Sequence, residues 1–215
     1  MASIQDLYST VREYNELTEF INTNYIEPLY NSWKRKSDIL PGEARRLLDK
    51  AEQAFEMNAD QFAFIEETLE EIEKTNPDVG AMYREEIRKH LNTALGNWNA
   101  TRWNEIRHND GAILKFAHNH ALGRVSLNLH NVSWQVEKTI LDQLRSDNTQ
   151  PWNQASKEIT VDGHKINIRS GFDVDHRCIT TDVLVFPPSN PSGSHWHLVI
   201  SENGDVIINE WREKS

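Results

Sequence analysis

The chain has 215 residues and a formal net charge of −10, with 33 acidic residues against 23 basic ones. That length can bury a working core as one large domain or two small ones, and the single cysteine, Cys178, excludes an internal disulfide and a cysteine-based zinc cluster. The acidic surplus is spread along the chain, 24 against 17 up to Asp147 and 9 against 6 beyond it. Neutralising phosphates takes a basic face, so this balance disfavours nucleic acid and makes a protein substrate or partner the expectation.

The opening Met-Ala-Ser-Ile-Gln-Asp-Leu-Tyr lacks the basic and apolar regions of a signal peptide, and no run approaches the roughly 20 apolar residues of a membrane span. A cytoplasmic location, or delivery by a route without a cleaved signal, is predicted.

Ser3 caps a first predicted helix whose apolar positions Ile4, Leu7, Tyr8, Val11, Tyr14 and Leu17 fall at three- and four-residue steps, ending near Asn22 or Asn24. A short helical piece follows to about Lys36. Pro41 and Gly42 open a third helix through Leu47, Leu48, Ala51 and Phe55, and Asp60 restarts another through Phe64, Ile65, Leu69 and Ile72. Pro77 suits a first helical turn. Beyond it Met82, Ile87, Leu91, Leu95 and Trp98 mark one further amphipathic helix, and Asn109-Asp110-Gly111 is a turn signal. Residues 112–145 read as helical, with Val132, Val136, Ile140 and Leu144 on one stripe, although Val125, Leu127 and Leu129 alternate as in a short strand. Residues 146–156, rich in Asn, Gln and Ser, read as a linker between a helical region, 1–147, and a β-rich region, 157–215.

After the linker the hydrophobic period becomes two. Strands are predicted at 158–161 and 164–169 around the turn Asp162-Gly163, at 179–186, and at 195–201 and 205–211 around Asn203-Gly204. So small a sheet needs cover for its apolar face, and the helices are available. The predicted class is therefore α+β, an N-terminal helical bundle packed with a small C-terminal antiparallel sheet.

Alternation sorts the reactive side chains. Ile179, Thr181, Val183 and Val185 share one face, as do Trp196, Leu198 and Ile200, which leaves Cys178, Asp182, His195 and His197 together on the more polar face. A thiol and an imidazole on one face are the minimum for thiol catalysis, with Asp182 to orient the ring. The segments Cys178-Ile-Thr-Thr and Ser194-His-Trp-His197-Leu-Val-Ile resemble the glutamine deamidases of the cytotoxic necrotizing factor and chemoreceptor-deamidase type. That resemblance implies a bacterial-effector-like thiol amidohydrolase acting on protein glutamine, with Cys178 as nucleophile and His197 or His195 as its base. A simple hairpin across the 187–194 loop predicts Phe186 opposite His195 and Leu184 opposite His197, with Asp182 diagonal to His197. Cys178 then meets a histidine only if the chain turns at Pro187-Pro188, with Ser189 to Ser194 as a bulge, or if the two strands are not neighbours.

Two other chemistries use the same histidines. A pair of imidazoles serving as general acid and base, with a cation to stabilise phosphorane-like charge, would cleave phosphodiesters without a metal; His195, His197, His176, Arg177 and Arg169 are the candidates. A helical leader ahead of a small histidine-bearing sheet resembles the ribonuclease domains at the ends of bacterial toxin proteins. Alternatively, His195 and His197 side by side on a strand, completed by Asp173, Asp175 and His176, would ligate a metal. No resident metal or cofactor is expected, and the fold is expected to survive chelation. A non-enzymatic reading remains, in which the acidic helix face at Glu66, Glu67, Glu70, Glu71 and Glu73 meets a basic partner protein.

Overall fold

The change of hydrophobic period along the sequence is met by a change of element. A computed structural model describes residues 3–34, 36–107, 109–122, 124, 133–146, 155–189 and 193–213. Helices α1 (Ile4–Ile21), α2 (Glu27–Trp33), α3 (Pro41–Thr75), α4 (Pro77–His90), α5 (Thr93–Ile106), α6 (Asn109–Leu122) and α7 (Trp134–Ser146) precede strands β1 (Ala155–Val161), β2 (His164–Asp173), β3 (Cys178–Phe186), β4 (Ser194–Ser201) and β5 (Val206–Glu213). The α+β class holds. The five strands form one antiparallel meander in the order β1-β2-β3-β4-β5, and no helix among the described residues is long and apolar enough to cross a membrane.

The helix boundaries differ from the predicted ones in four places. No glycine or proline lies between Glu43 and Asn76, so nothing restarts the chain at Asp60 and α3 runs unbroken for 35 residues. The single helix expected over Met82 to Trp98 is two, because Leu91 is extended and Asn92 caps α5 by accepting from the Leu95 N–H at 3.3 Å. Asn15 of α1 bridges that break, donating to the His90 carbonyl at 2.9 Å and accepting from the Asn92 N–H at 2.8 Å. The turn signal at Asn109 instead opens α6. Between α1 and α2 the chain does not stop but passes through a π-helical turn, Asn22–Ile26. The alternation at Val125, Leu127 and Leu129 lies outside the described residues, as does most of the expected linker.

By compactness the chain divides elsewhere than at that linker, into one unit of Met1–Asn31 with Arg45–Arg107 and a second of Ser32–Ala44 with His108–Ser215. The first unit is helical; Leu7, Val11 and Tyr14 of α1 pack with Ile65 and Leu69 of α3 and Ile87 of α4. Its acidic face is partly consumed internally, since Glu66 and Glu73 both bind Arg84 of α4, at 2.9 and 2.5 Å.

The second unit carries the sheet. Ala121 and Leu122 of α6 and Val136, Ile140 and Leu144 of α7 cover Ile166, Ile168, Val183, Val185, Trp196, Leu198 and Ile200 on one sheet face. Asp162 and Gly163, at φ 48° and 79°, form the left-handed pair that a two-residue hairpin turn requires. Trp196 is fully buried in this core and donates its indole N–H to Asn209 Oδ1 at 2.6 Å. We expect Trp196→Ala to destabilise the second unit by about 3–5 kcal/mol, the range for truncating a large buried aromatic; urea unfolding monitored in the near-UV measures it, and a loss below about 1 kcal/mol would mean that the core does not centre on this side chain.

Candidate functional site

With one face of the sheet committed to the helices, every second residue of each strand points the other way. Across that outer face the register aligns Ser156, Arg169, Asp182, His197 and Glu210 in one row, and Glu158, Asn167, Leu184, His195 and Arg212 in the next. A third row, Gly171, Thr180, Val199 and Ile208, is largely apolar. The outer face therefore has a polar end and an apolar end.

The register that produces these rows is two residues away from the simple hairpin expected. Asp182 stands directly opposite His197, and Leu184 opposite His195. The ladder ends at Val185 and Ser194, and the next residue, Gly193, at φ 67°, lies against the Phe186 ring, where a Cβ would come within 2.6 Å of Phe186 Cδ1. Only glycine fits there.

At the polar end three side chains converge. Asp182 Oδ1 is 2.7 Å from His195 Nε2 and 2.7 Å from His197 Nδ1, and the three ligand-type atoms lie within 4.8 Å of one another. Burial alone would push the Asp182 carboxyl up, but hydrogen bonds from His197 and His195, and their charge when protonated, hold it below the ordinary carboxylate range. Asp182 is thus ionised at neutral pH. A carboxylate only accepts, so both facing ring nitrogens are donors, which leaves Nδ1 of His195 and Nε2 of His197 as the basic atoms of the neutral rings. Each of the three side chains is about a third exposed, 29–32%, so a ligand can reach them.

Cys178 is not part of this cluster. It sits opposite Asp173 on β2 and Ser201 on β4, four positions along β3 from Asp182, or roughly 13 Å at ~3.3 Å per residue. It is buried at the apolar end, and burial followed by the negative charge of Asp173 raises its thiol pKa above the ordinary value, with the Thr180 hydroxyl opposing them. A nucleophilic thiol needs the reverse environment.

The remaining candidates lie apart from the histidine pair. Asp173 closes the β2–β3 turn: its carboxylate accepts from the Asp175 and His176 N–H groups at 3.0 and 3.1 Å and pairs with the His176 ring at 2.9 Å. Arg177 is tied to Glu202 at 2.7 Å. These residues hold a turn and complete no shell around His195 and His197. Of the other His-x-His pair on α6, His118 is buried while His120 reaches Asp38 at 3.3 Å, so the rings diverge as a helical step of two requires. Glu210 and Arg212, paired to each other at 2.6 Å, flank the histidines and were not singled out from sequence, although alternation in β5 places them on this face.

No protein-family model matches the chain, and neither curated proteins nor solved structures match it.

The Asp182 carboxyl titrates lower in the fold than in the unfolded chain. Its contribution to stability is present above the unfolded pKa of about 3.9 and disappears as pH falls through the folded value. We expect the urea midpoint of the native sequence to fall more steeply between about pH 5 and about pH 2 than that of Asp182→Asn. Equal slopes would show that the histidines do not hold this carboxylate.

Proposed function

We propose that the protein is a metal-independent phosphodiesterase acting on RNA, with His195 and His197 as the acid–base pair and Asp182 as the residue that orients both. The observation that carries this reading is the shared carboxylate oxygen, 2.7 Å from each ring, which fixes the tautomers and turns one nitrogen of each imidazole outward. One histidine takes the proton of a ribose 2′-hydroxyl, whose oxygen attacks phosphorus. The bond from phosphorus to the 5′-oxygen breaks, and the other histidine, protonated, gives that oxygen its proton. The products are a 2′,3′-cyclic phosphate and a 5′-hydroxyl end, with no water or metal consumed in the step. An RNA substrate follows from this chemistry, since an internal 2′-hydroxyl is the nucleophile.

Arg169 stands beside Asp182 in the same row, on the exposed outer face, where a guanidinium offsets charge developing on the phosphorane. The overall acidity bears less on this unit than composition suggests. The first unit holds 18 acidic and 10 basic residues and the second 15 and 13, with eight of the nine histidines in the second. The near-neutral second unit carries the site.

We expect cleavage of single-stranded RNA in the presence of a chelator, with His195→Ala and His197→Ala each lowering the rate by about 10²–10⁴ and Arg169→Ala by about 10². Cys178→Ser, a change at the apolar end, should leave the rate nearly unchanged. Undiminished cleavage in both histidine variants would sink the proposal. A protein-glutamine deamidation activity abolished by Cys178→Ser would replace it with the thiol chemistry.

A further inference from the structure

We propose that Asp182, His195 and His197 also form a reversible binding site for a zinc-class divalent ion, and that the bound ion turns the acid–base centre off; the second half rests on the reading given above. The site is built from adjacent antiparallel strands, so its donors are fixed by the ladder rather than by a loop. Two imidazole nitrogens and one carboxylate oxygen, all within 4.8 Å of one another, are a donor set that suits Zn²⁺ and its late first-row neighbours, and not the oxygen-seeking Mg²⁺ or Ca²⁺. Three protein ligands with partial solvent exposure leave a fourth position for water, the pattern of an exchangeable site and not of a closed structural one.

The geometry is near to what such an ion needs. Tetrahedral ligands at about 2.0–2.1 Å from the metal stand about 3.3 Å apart, whereas Asp182 Oδ1 is 2.7 Å from each facing nitrogen. Small rotations of the side chains open the difference. By contrast, Asp173 and His176 at the β2–β3 turn are two groups already engaged with the backbone and with each other, with the His176 side chain 78% exposed.

Inhibition follows from the proton positions. In the metal-free site the nitrogens facing Asp182 carry the hydrogens, and the outward nitrogens are basic. An ion bound between the three residues takes the lone pairs of His195 Nε2 and His197 Nδ1. The hydrogen of a neutral ring then resides on the outward nitrogen, and a protonated ring releases its second proton to solvent. Neither outward nitrogen can then accept a proton from a 2′-hydroxyl, so the base is lost while the fold is untouched.

The test is calorimetric titration of Zn²⁺ into the full chain, with Mg²⁺ as control, alongside the visible absorption of Co²⁺ added in place of Zn²⁺. We expect one Zn²⁺ per chain, no saturable Mg²⁺ uptake, and affinity weakened at least about 100-fold in His195→Ala and in His197→Ala. His195→Gln and His197→Gln replace any alanine variant that fails to give a cooperative thermal melt, and the low-coordinate Co²⁺ spectrum is read on the unmodified protein. Absence of saturable Zn²⁺ binding, or binding unaltered by either substitution, overturns the ion site whatever the RNA assay gives. In that assay Zn²⁺ at saturation should reduce cleavage at least about tenfold, and a chelator should restore it. Zn²⁺ that binds but leaves cleavage unchanged overturns the switch, and Zn²⁺ required for cleavage overturns both the switch and the metal-free mechanism. Binding without any cleavage in chelator leaves the ion site standing and removes the nuclease.

Discussion

In a five-stranded sheet with one face buried, β3 and β4 can pair only in registers of one parity, because a slip of a single residue exchanges whole faces. Slipped by one, Trp196, Leu198 and Ile200 would turn to solvent, and His195, His197 and Val199 would enter the space beneath α6 and α7. The observed ladder sets Val183 opposite Trp196, Thr181 opposite Leu198 and Ile179 opposite Ile200, all buried. Trp196 reinforces the choice, filling the core with its ring and binding Asn209 of β5 through its indole nitrogen. The position of the histidines is a by-product of this hydrophobic choice. Once the tryptophan between them is buried, both imidazoles must leave the opposite face, the one on which Asp182 also stands.

That dependence also explains why the outer face is not uniform. Cys178 and Val199 are buried although they point away from the main core, so the outer face near the start of β3 is shielded from solvent, while the row four residues further along β3 carries Arg169, Asp182, His197 and Glu210. A cysteine placed in the first environment behaves as a small hydrophobe with a raised pKa; a carboxylate placed in the second is stabilised as an anion by two imidazole donors. The same strand thus supplies a buried thiol with a raised pKa and a carboxylate held in its ionised form, separated by one residue of the same facing, Thr180.

Much of this was legible in the sequence, and what was not had a physical reason. Strand periodicity identified both faces and every residue of the cluster, because alternation depends only on the backbone. The pairing of Asp182 with His197, as against Leu184 with His197, depends on how many residues the loop takes up, which periodicity within the strands does not encode. Likewise Asp60, a residue that often opens helices, is carried through α3 because no breaker precedes it, whereas Asn92 does open one since Leu91 is extended and Asn15 satisfies the exposed backbone on both sides. The assignment of Cys178 to the same site as the histidines failed on distance along a strand, not on face.

Two imidazoles sharing one carboxylate oxygen is an arrangement whose chemistry depends on what occupies the space between them. With hydrogens there, the carboxylate accepts twice, both tautomers are fixed, and the outward nitrogens are bases; the charge on Asp182 stabilises whichever ring gains a second proton, which is what an acid–base pair must alternate between. With a divalent ion there, the same three atoms become ligands and the outward nitrogens become donors, suited to holding an anion beside the ion but not to taking a proton. In the acid–base and ion-bound states proposed above, the carboxylate would serve as the acceptor in one and the anionic ligand in the other. A neutral amide in its place retains the shape, and its carbonyl oxygen can still accept from both rings, but it carries no charge to stabilise a ring that gains a second proton. The constraint on this position is therefore its charge, and its place beside the rings follows from the ladder that sets residue 182 opposite residue 197.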